Sequence, residues 1–114
     1  MASKYHSVRT FSALCNRLFS SKLEATRAEE LRLMELAGVI SDLRYQMRFN
    51  LNNKPRITIT IDFSYLEDGV RKFEDTKGFL TRDFRTKLAW LKTTQDIDVE
   101  LIRRKGYGEF SDSQ

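Results

Sequence analysis

The sequence predicts a small α/β or α+β fold with a mixed sheet and the order helix, strand, strand, strand, helix, strand. Residues 20–37 are dominated by Leu, Ala, Glu, Arg and Met, which favour helices. Residues 43–77 contain three stretches with strand character, separated by turn residues. Residues 81–93 repeat apolar side chains at helical spacing, and residues 98–103 have the composition of a final strand.

The first helix carries its own start and stop signals. Ser20 or Ser21 can act as N-cap, and Glu24 lies three residues after Ser21, which is the spacing of a capping box. Gly38 follows the last helix-forming residue and is well placed to end the helix.

The three central strands are predicted from their period of two. Residues 43–51 alternate apolar and polar side chains, and residues 52–55 form a turn. Residues 56–66 place Ile and Phe on one face and Thr, Asp and Ser on the other. The Asp68-Gly69 dipeptide predicts a hairpin to a third strand, residues 70–77. The three strands should form an antiparallel meander.

The C-terminal half predicts a crossover. Thr81 can cap a helix to about Thr93, with an apolar stripe facing the sheet. The last strand then lies parallel to the third. We expect one domain, residues 1–114, in which residues 1–19 form an arm or short irregular element, residues 20–104 the core and residues 105–114 a flexible tail.

Composition narrows the class of protein. The chain has 114 residues, 40% of them hydrophobic, which is enough for one modest core. No stretch approaches the ~20 apolar residues of a membrane span, and the N-terminus lacks the apolar segment of a secretory signal. Cys15 is the sole cysteine, which excludes an intramolecular disulfide. We therefore expect a soluble intracellular protein whose net charge of +4 is compatible with nucleic-acid binding.

Three charged residues of the meander predict a metal site. Asp62 lies near the end of the central strand, and Asp75 and Lys77 lie on the next strand, two residues apart and so on one face. If the Asp68-Gly69 hairpin pairs the two strands, Asp62 and Asp75 become cross-strand or diagonal neighbours. Paired carboxylates suit Mg²⁺ or Mn²⁺, and a neighbouring lysine stabilises charge on a phosphate. The alternative is an ordinary solvated strand face.

Glu24 is a third candidate acid. Ala28 and Leu31 point in nearly the same direction from the helix, so the Glu24 carboxylate lies on the side that should pack against the sheet. A carboxylate there is costly unless it caps, pairs or binds a metal. The capping box is the alternative explanation.

The ordered set Glu24, Asp62, Asp75 and Lys77 resembles the pattern of the PD-(D/E)xK nucleases, which share a restriction-endonuclease-like core. The resemblance is greater to a phage endodeoxyribonuclease family within that superfamily. It runs through residues 20–49, 59–92 and 97–102 and covers about residues 19–102. Ile61 stands where the superfamily motif often has Pro, and Asp75 stands where Glu is commoner. Because a bulge could exchange Glu74 and Asp75, the second-strand ligand stays open between them.

The resemblance implies Mg²⁺-dependent hydrolysis of DNA that leaves 5′-phosphate ends. Asp62, Asp75, Glu24 and the Thr76 carbonyl would hold one or two Mg²⁺ (or Mn²⁺) ions, and Lys77 would orient the water or stabilise the transition state. Phage Holliday-junction resolvases share this arrangement as homodimers. The resemblance therefore implies a homodimer that acts on a four-way DNA junction in the cytoplasm of a bacterial host.

Basic residues near these positions are candidate DNA contacts. They are Arg82, Arg85, Lys87, Lys22 and Arg27. The alternative for the helical ones is a solvated helix face. At the level of function, the alternatives are a non-catalytic DNA-binding or regulatory module on the same fold, or a less specific phage nuclease or nickase.

Overall fold

The computed structural model describes residues 8–103. In that range the chain forms a small N-terminal hairpin, two helices and a four-stranded sheet. The elements are β1 (Thr10–Ser12), β2 (Arg17–Phe19), α1 (Lys22–Leu36), β3 (Ser41–Asn53), β4 (Arg56–Glu67), β5 (Val70–Lys77), α2 (Arg82–Gln95) and β6 (Glu100–Arg103). The predicted α+β class and the order of the core elements are confirmed.

The main sheet is mixed, with the strand order β3-β4-β5-β6. Strands β3, β4 and β5 form an antiparallel meander, and β6 runs parallel to β5 after the crossover through α2. Asp68 and Gly69 both have positive φ, at 53° and 78°, and join the paired residues Glu67 and Val70. This is the two-residue turn that an Asp-Gly pair favours.

Both helices begin where the sequence predicts. Ser21 accepts a hydrogen bond from the Glu24 N–H at 3.1 Å, and Thr81 accepts one from the Phe84 N–H at 3.1 Å. Gly38, at φ 81°, follows the end of α1 and allows the chain to turn where a side chain would be strained. Helix α2 continues to Gln95, two residues beyond the predicted end, and β6 is shorter than predicted.

The N-terminal segment differs from the predicted arm or irregular element. Within residues 8–19, β1 and β2 pair as an antiparallel hairpin that buries Ser12 and Phe19. The Ser12 hydroxyl donates to Glu29 of α1 at 2.5 Å, which ties the hairpin to the helix. The tail predicted over residues 105–114 lies outside the described residues.

The core has two parts. Beneath α1 and the hairpin lie Phe19, Ala25, Ala28, Leu31, Ile40, Phe63 and Tyr65. Beneath α2 lie Leu51, Ile59, Ile61 and Leu91. On β4, Asp62 stands between Ile61 of one cluster and Phe63 of the other, so both halves of the core fix its position. Neither described helix is long and apolar enough to cross a membrane.

Candidate functional site

The structure places Asp62 and Asp75 side by side. They lie one step beyond the paired residues Phe63 and Glu74 of β4 and β5. Asp75 Oδ1 accepts the Asp62 N–H at 2.8 Å. Asp62 Oδ2 accepts the Thr76 N–H at 2.9 Å and the Thr76 hydroxyl at 2.8 Å. Each carboxylate is therefore held by the backbone of the other strand.

Asp75 is the more deeply buried carboxylate of this pair, and its negative charge is only partly compensated. Its side chain is completely buried, with 0% exposure. Its Oδ2 forms an ion pair with Lys77, whose Nζ lies 3.2 Å away. Burial, and then the charge of Asp62, raise the pKa of Asp75 to about 7, and Lys77 offsets only part of this. A divalent cation would compensate the charge of the aspartate pair more fully than Lys77 does.

Lys77 lies on the same side of β5 as Asp75. Its ammonium is 4.0 Å from the centre of the Phe84 ring of α2, so the aromatic face supports the charge. About a third of the side chain is exposed, and Lys77 lines the cleft next to Asp62 and Thr76. The ammonium is thus available to a negatively charged ligand.

Glu24 reaches the same cleft from α1. It is buried, and burial raises its pKa from the usual value. The capping box is only half formed: Ser21 caps the Glu24 N–H, but the carboxylate accepts the Ser20 hydroxyl at 2.6 Å through Oε1. Its Oε2 accepts the side-chain amide of Gln46 at 2.9 Å. Glu24 is therefore linked to Asp62 by the side-chain amide of Gln46.

Gln46 is a site residue that the sequence did not predict. It lies on β3, level with Asp62, and its Nε2 is 3.4 Å from Asp62 Oδ1 as well as within hydrogen-bonding distance of Glu24. Thr76 is also used differently from the prediction. Its hydroxyl and N–H orient Asp62, while the metal-binding role of its carbonyl stays a prediction.

Glu74 has a separate structural role. Its buried carboxylate accepts two hydrogen bonds from Arg27, both at 2.8 Å, and a short one from the Tyr65 hydroxyl. The structure thus brings Asp75, and not Glu74, next to Asp62. Arg27 also donates to Glu30 at 2.9 Å, so its three nitrogens are engaged by carboxylates. Arg27 also lines the cleft described below, and its role as a DNA contact stays a prediction.

Glu24 and Asp62 border an open cleft of about 700 Å³, whose lining does not include the buried Asp75. Glu24, Asp62, Thr76 and Lys77 line it, and Lys22 and Arg103 add positive charge at its walls. Of the other predicted DNA contacts, Arg82 and Arg85 are exposed on α2, and Lys87 is half-buried beside Asp83 at 3.5 Å. These three belong to the flanking helix and are not part of the described cleft lining.

The donor set suits a divalent ion held by few protein ligands. Within residues 8–103, no three His, Cys, Asp or Glu side chains are grouped as a ready metal cage. Mg²⁺ is commonly bound by one or two carboxylates, with water and substrate phosphate completing its octahedron. Asp62 and Asp75 match that pattern, whereas the two oxygens of Glu24 are engaged by Ser20 and Gln46.

Comparison with known proteins gives a family. Neither the curated proteins nor the solved structures provide a significant match. Residues 2–106 match the family described as "Protein of unknown function (DUF1064)". This match covers the hairpin, both helices and all four strands of the main sheet. The chain therefore belongs to the DUF1064 family.

Proposed function

We propose that the protein is a Mg²⁺-dependent DNA endonuclease that hydrolyses phosphodiester bonds. The observation that carries this proposal is the pair of carboxylates, Asp62 and Asp75, held side by side with the Lys77 ammonium 3.2 Å from Asp75 Oδ2. Two neighbouring carboxylates repel each other, and a divalent cation bound by both would compensate their charges more fully than one lysine does. The order of the acids and the lysine along the chain agrees with the nuclease resemblance.

In this proposal Asp62 and Asp75 hold the ion, which would supply Lewis-acid charge to a water and to the scissile phosphate. Thr76 fixes Asp62 Oδ2 through two hydrogen bonds, so Asp62 keeps one orientation. Lys77 is supported by the Phe84 ring and presents its ammonium where negative charge develops on the phosphate. Glu24 adds negative charge at the α1 side of the cleft.

The basic residues would place DNA across the cleft. Lys22 and Arg103 stand at its walls, and Arg82 and Arg85 extend positive charge along α2. Such contacts to phosphates set position and affinity without reading sequence. We therefore propose recognition of DNA shape, with a four-way junction as substrate. Symmetric cutting of a junction needs two sites at once, so a homodimer is part of the proposal, as is action in the cytoplasm of a bacterial host.

The decisive experiment compares cleavage of a four-way junction, a matched linear duplex and single-stranded DNA, in Mg²⁺ and in EDTA. We expect Mg²⁺-dependent junction cutting that leaves 5′-phosphates. D62N and K77A should lose cleavage while keeping DNA affinity. D98N and K92A are matched controls, because Asp98 and Lys92 form an exposed ion pair.

Each other outcome has a distinct meaning. Equal cutting of all three DNAs would remove the resolvase proposal and leave a less specific nuclease or nickase. Cutting by both D62N and K77A would contradict the site assignment. DNA binding without any cutting would support a non-catalytic DNA-binding or regulatory module. The two hydrogen bonds that already satisfy Asp62 Oδ2 are the observation that favours this second function.

A further inference from the structure

We propose that Gln46 is a positioning residue through which Glu24 acts on the aspartate pair. This inference rests on the proposed function, because it concerns how the metal site is held together. The Gln46 side-chain nitrogen is 2.9 Å from Glu24 Oε2 and 3.4 Å from Asp62 Oδ1. An amide nitrogen carries two hydrogens, so it can donate one to each carboxylate.

The orientation of the amide follows from its surroundings. With the oxygen in place of the nitrogen, Gln46 would present a partial negative charge to two carboxylates, which would repel it. With the nitrogen inward, it screens Glu24 from Asp62 and bridges α1 to the main sheet. The amide and the Ser20 hydroxyl together engage both oxygens of Glu24.

The backbone of Gln46 supports a specific role. Its φ is +55° within β3, although its neighbours Tyr45 and Met47 are regularly paired with β4. Residues other than glycine rarely adopt this conformation, and surrounding structure must stabilise it. The conformation occurs at the point where β3 passes Asp62. The strained residue and the two carboxylates thus belong to one arrangement.

A direct consequence concerns Glu24. Because Ser20 and Gln46 engage the two oxygens of Glu24, Glu24 does not coordinate the ion that Asp62 and Asp75 would hold. Glu24 instead orients the Gln46 amide, and the amide orients Asp62. Removing either Glu24 or Gln46 should then damage the same interaction, and removing both should do no further harm.

The test measures Mn²⁺ binding to the whole chain by calorimetry, beside the cleavage assay. The variants are Q46A, Q46G, E24Q and the double variant E24Q/Q46A. Q46G separates the side chain from the backbone, because glycine accepts positive φ without strain. Q95A is the matched control, since Gln95 donates only to the Asn50 carbonyl, at 3.0 Å, at the end of α2.

We expect Q46A and Q46G to lose Mn²⁺ affinity alike, by roughly 10- to 100-fold, while Q95A binds as wild type does. E24Q should lose a similar factor, and the double variant should be no worse than either single variant. A merely structural role would spare Q46G, in which the backbone is relaxed.

Three results would overturn the inference. Wild-type affinity in Q46A and Q46G would remove the role of Gln46 and leave the proposed function standing. Losses that multiply in the double variant would make Glu24 an independent ligand. Failure of the wild-type protein itself to bind Mn²⁺ and to cut DNA would overturn the proposed function, and this inference with it.

Discussion

Replacing Asp75 by asparagine tests whether the fold holds a carboxyl group whose charge is only partly compensated. Asp75 is fully buried, and Lys77 Nζ lies 3.2 Å from its Oδ2. Burial and the charge of Asp62 raise its pKa from 3.8 to about 7. Asparagine has nearly the same shape, and its side-chain oxygen can still accept the Asp62 N–H. The substitution removes the charge and keeps the volume, and its amide nitrogen replaces Oδ2 as the neighbour of Lys77, which reduces the gain.

The sign of the effect follows from proton binding. Between pH 3.8 and about 7, Asp75 is ionised in the unfolded chain but protonated in the fold. The unfolded state then binds fewer protons, so the free energy of unfolding of the wild type falls as pH rises. The difference between the pKa values of the unfolded and folded states corresponds to about 4 kcal/mol in the free energy of unfolding. This is the upper bound on what D75N recovers at pH 8, and below pH 3.8 it recovers nothing from this source.

Urea denaturation in EDTA, followed by Trp90 fluorescence at pH 5 and pH 8, measures the difference. We expect the stability advantage of D75N to be larger at pH 8 than at pH 5 by about 2–3 kcal/mol. D98N is the control, because Asp98 is an exposed aspartate. An advantage that is the same at both pH values, or a D75N variant less stable than wild type at pH 8, would refute the reasoning.

Other substitutions probe the surroundings of the site. R27A should cost about 3–5 kcal/mol in urea denaturation because it leaves Glu74 buried and unpaired, and R27A/E74Q should recover part of this. A loss no larger than that of R32A, whose partner Glu35 is less buried, would contradict it. T76V should cost about 1–3 kcal/mol by removing the hydroxyl bond to Asp62, against T86V as an exposed control. R82A and R85A should each reduce the slope of log DNA affinity against log salt concentration by the amount expected for about one phosphate contact. K54A is the control and should leave this slope unchanged. An unchanged slope in R82A and R85A would mean that DNA binds to another part of the surface.

The features that could be predicted are those that depend on a few consecutive residues. Period-two alternation, the Asp68-Gly69 turn and the two N-caps each act over a few residues, and the structure confirms all of them. The pairing of Asp62 with Asp75 followed from the hairpin, because a two-residue turn fixes the register of its strands. The N-terminal hairpin was missed because each strand has three residues, too few for a periodic signal.

Gln46 could not be placed because of a bulge. At the turn between β3 and β4, Asn53 pairs with Arg56 and Asn52 with Ile57. Continued without interruption, that register would set Gln46 opposite Phe63. A shift of one residue between Asn50 and Asn52 sets it level with Asp62 instead. Sequence periodicity does not predict such a shift. A one-residue change of register determines whether the Gln46 amide lies opposite the Phe63 ring or the Asp62 carboxylate.

Arg27 shows a second limit. From the sequence it is a basic residue near a candidate acid, which suggests a phosphate contact. Its actual partner is Glu74, 47 residues along the chain, and only the packing of α1 against β5 brings the two together. Local charge patterns do not reveal such a pairing, and the DNA contact of Arg27 stays a prediction.

Glu74 and Asp75 are neighbouring acids of β5 with different surroundings. Glu74 and Asp75 are both buried, but successive residues of a strand face opposite sides, and the fold treats them differently. Glu74 is paired by Arg27 and Tyr65, as stability requires of a buried carboxylate. Asp75 receives one backbone N–H on Oδ1 and the Lys77 ammonium at 3.2 Å on Oδ2, but the charge of Asp62 lies beside it and raises its pKa. Since Glu74 has an arginine of its own while the neighbouring carboxylates Asp62 and Asp75 have Lys77 beside them, the aspartate pair carries surplus negative charge that a divalent cation would balance.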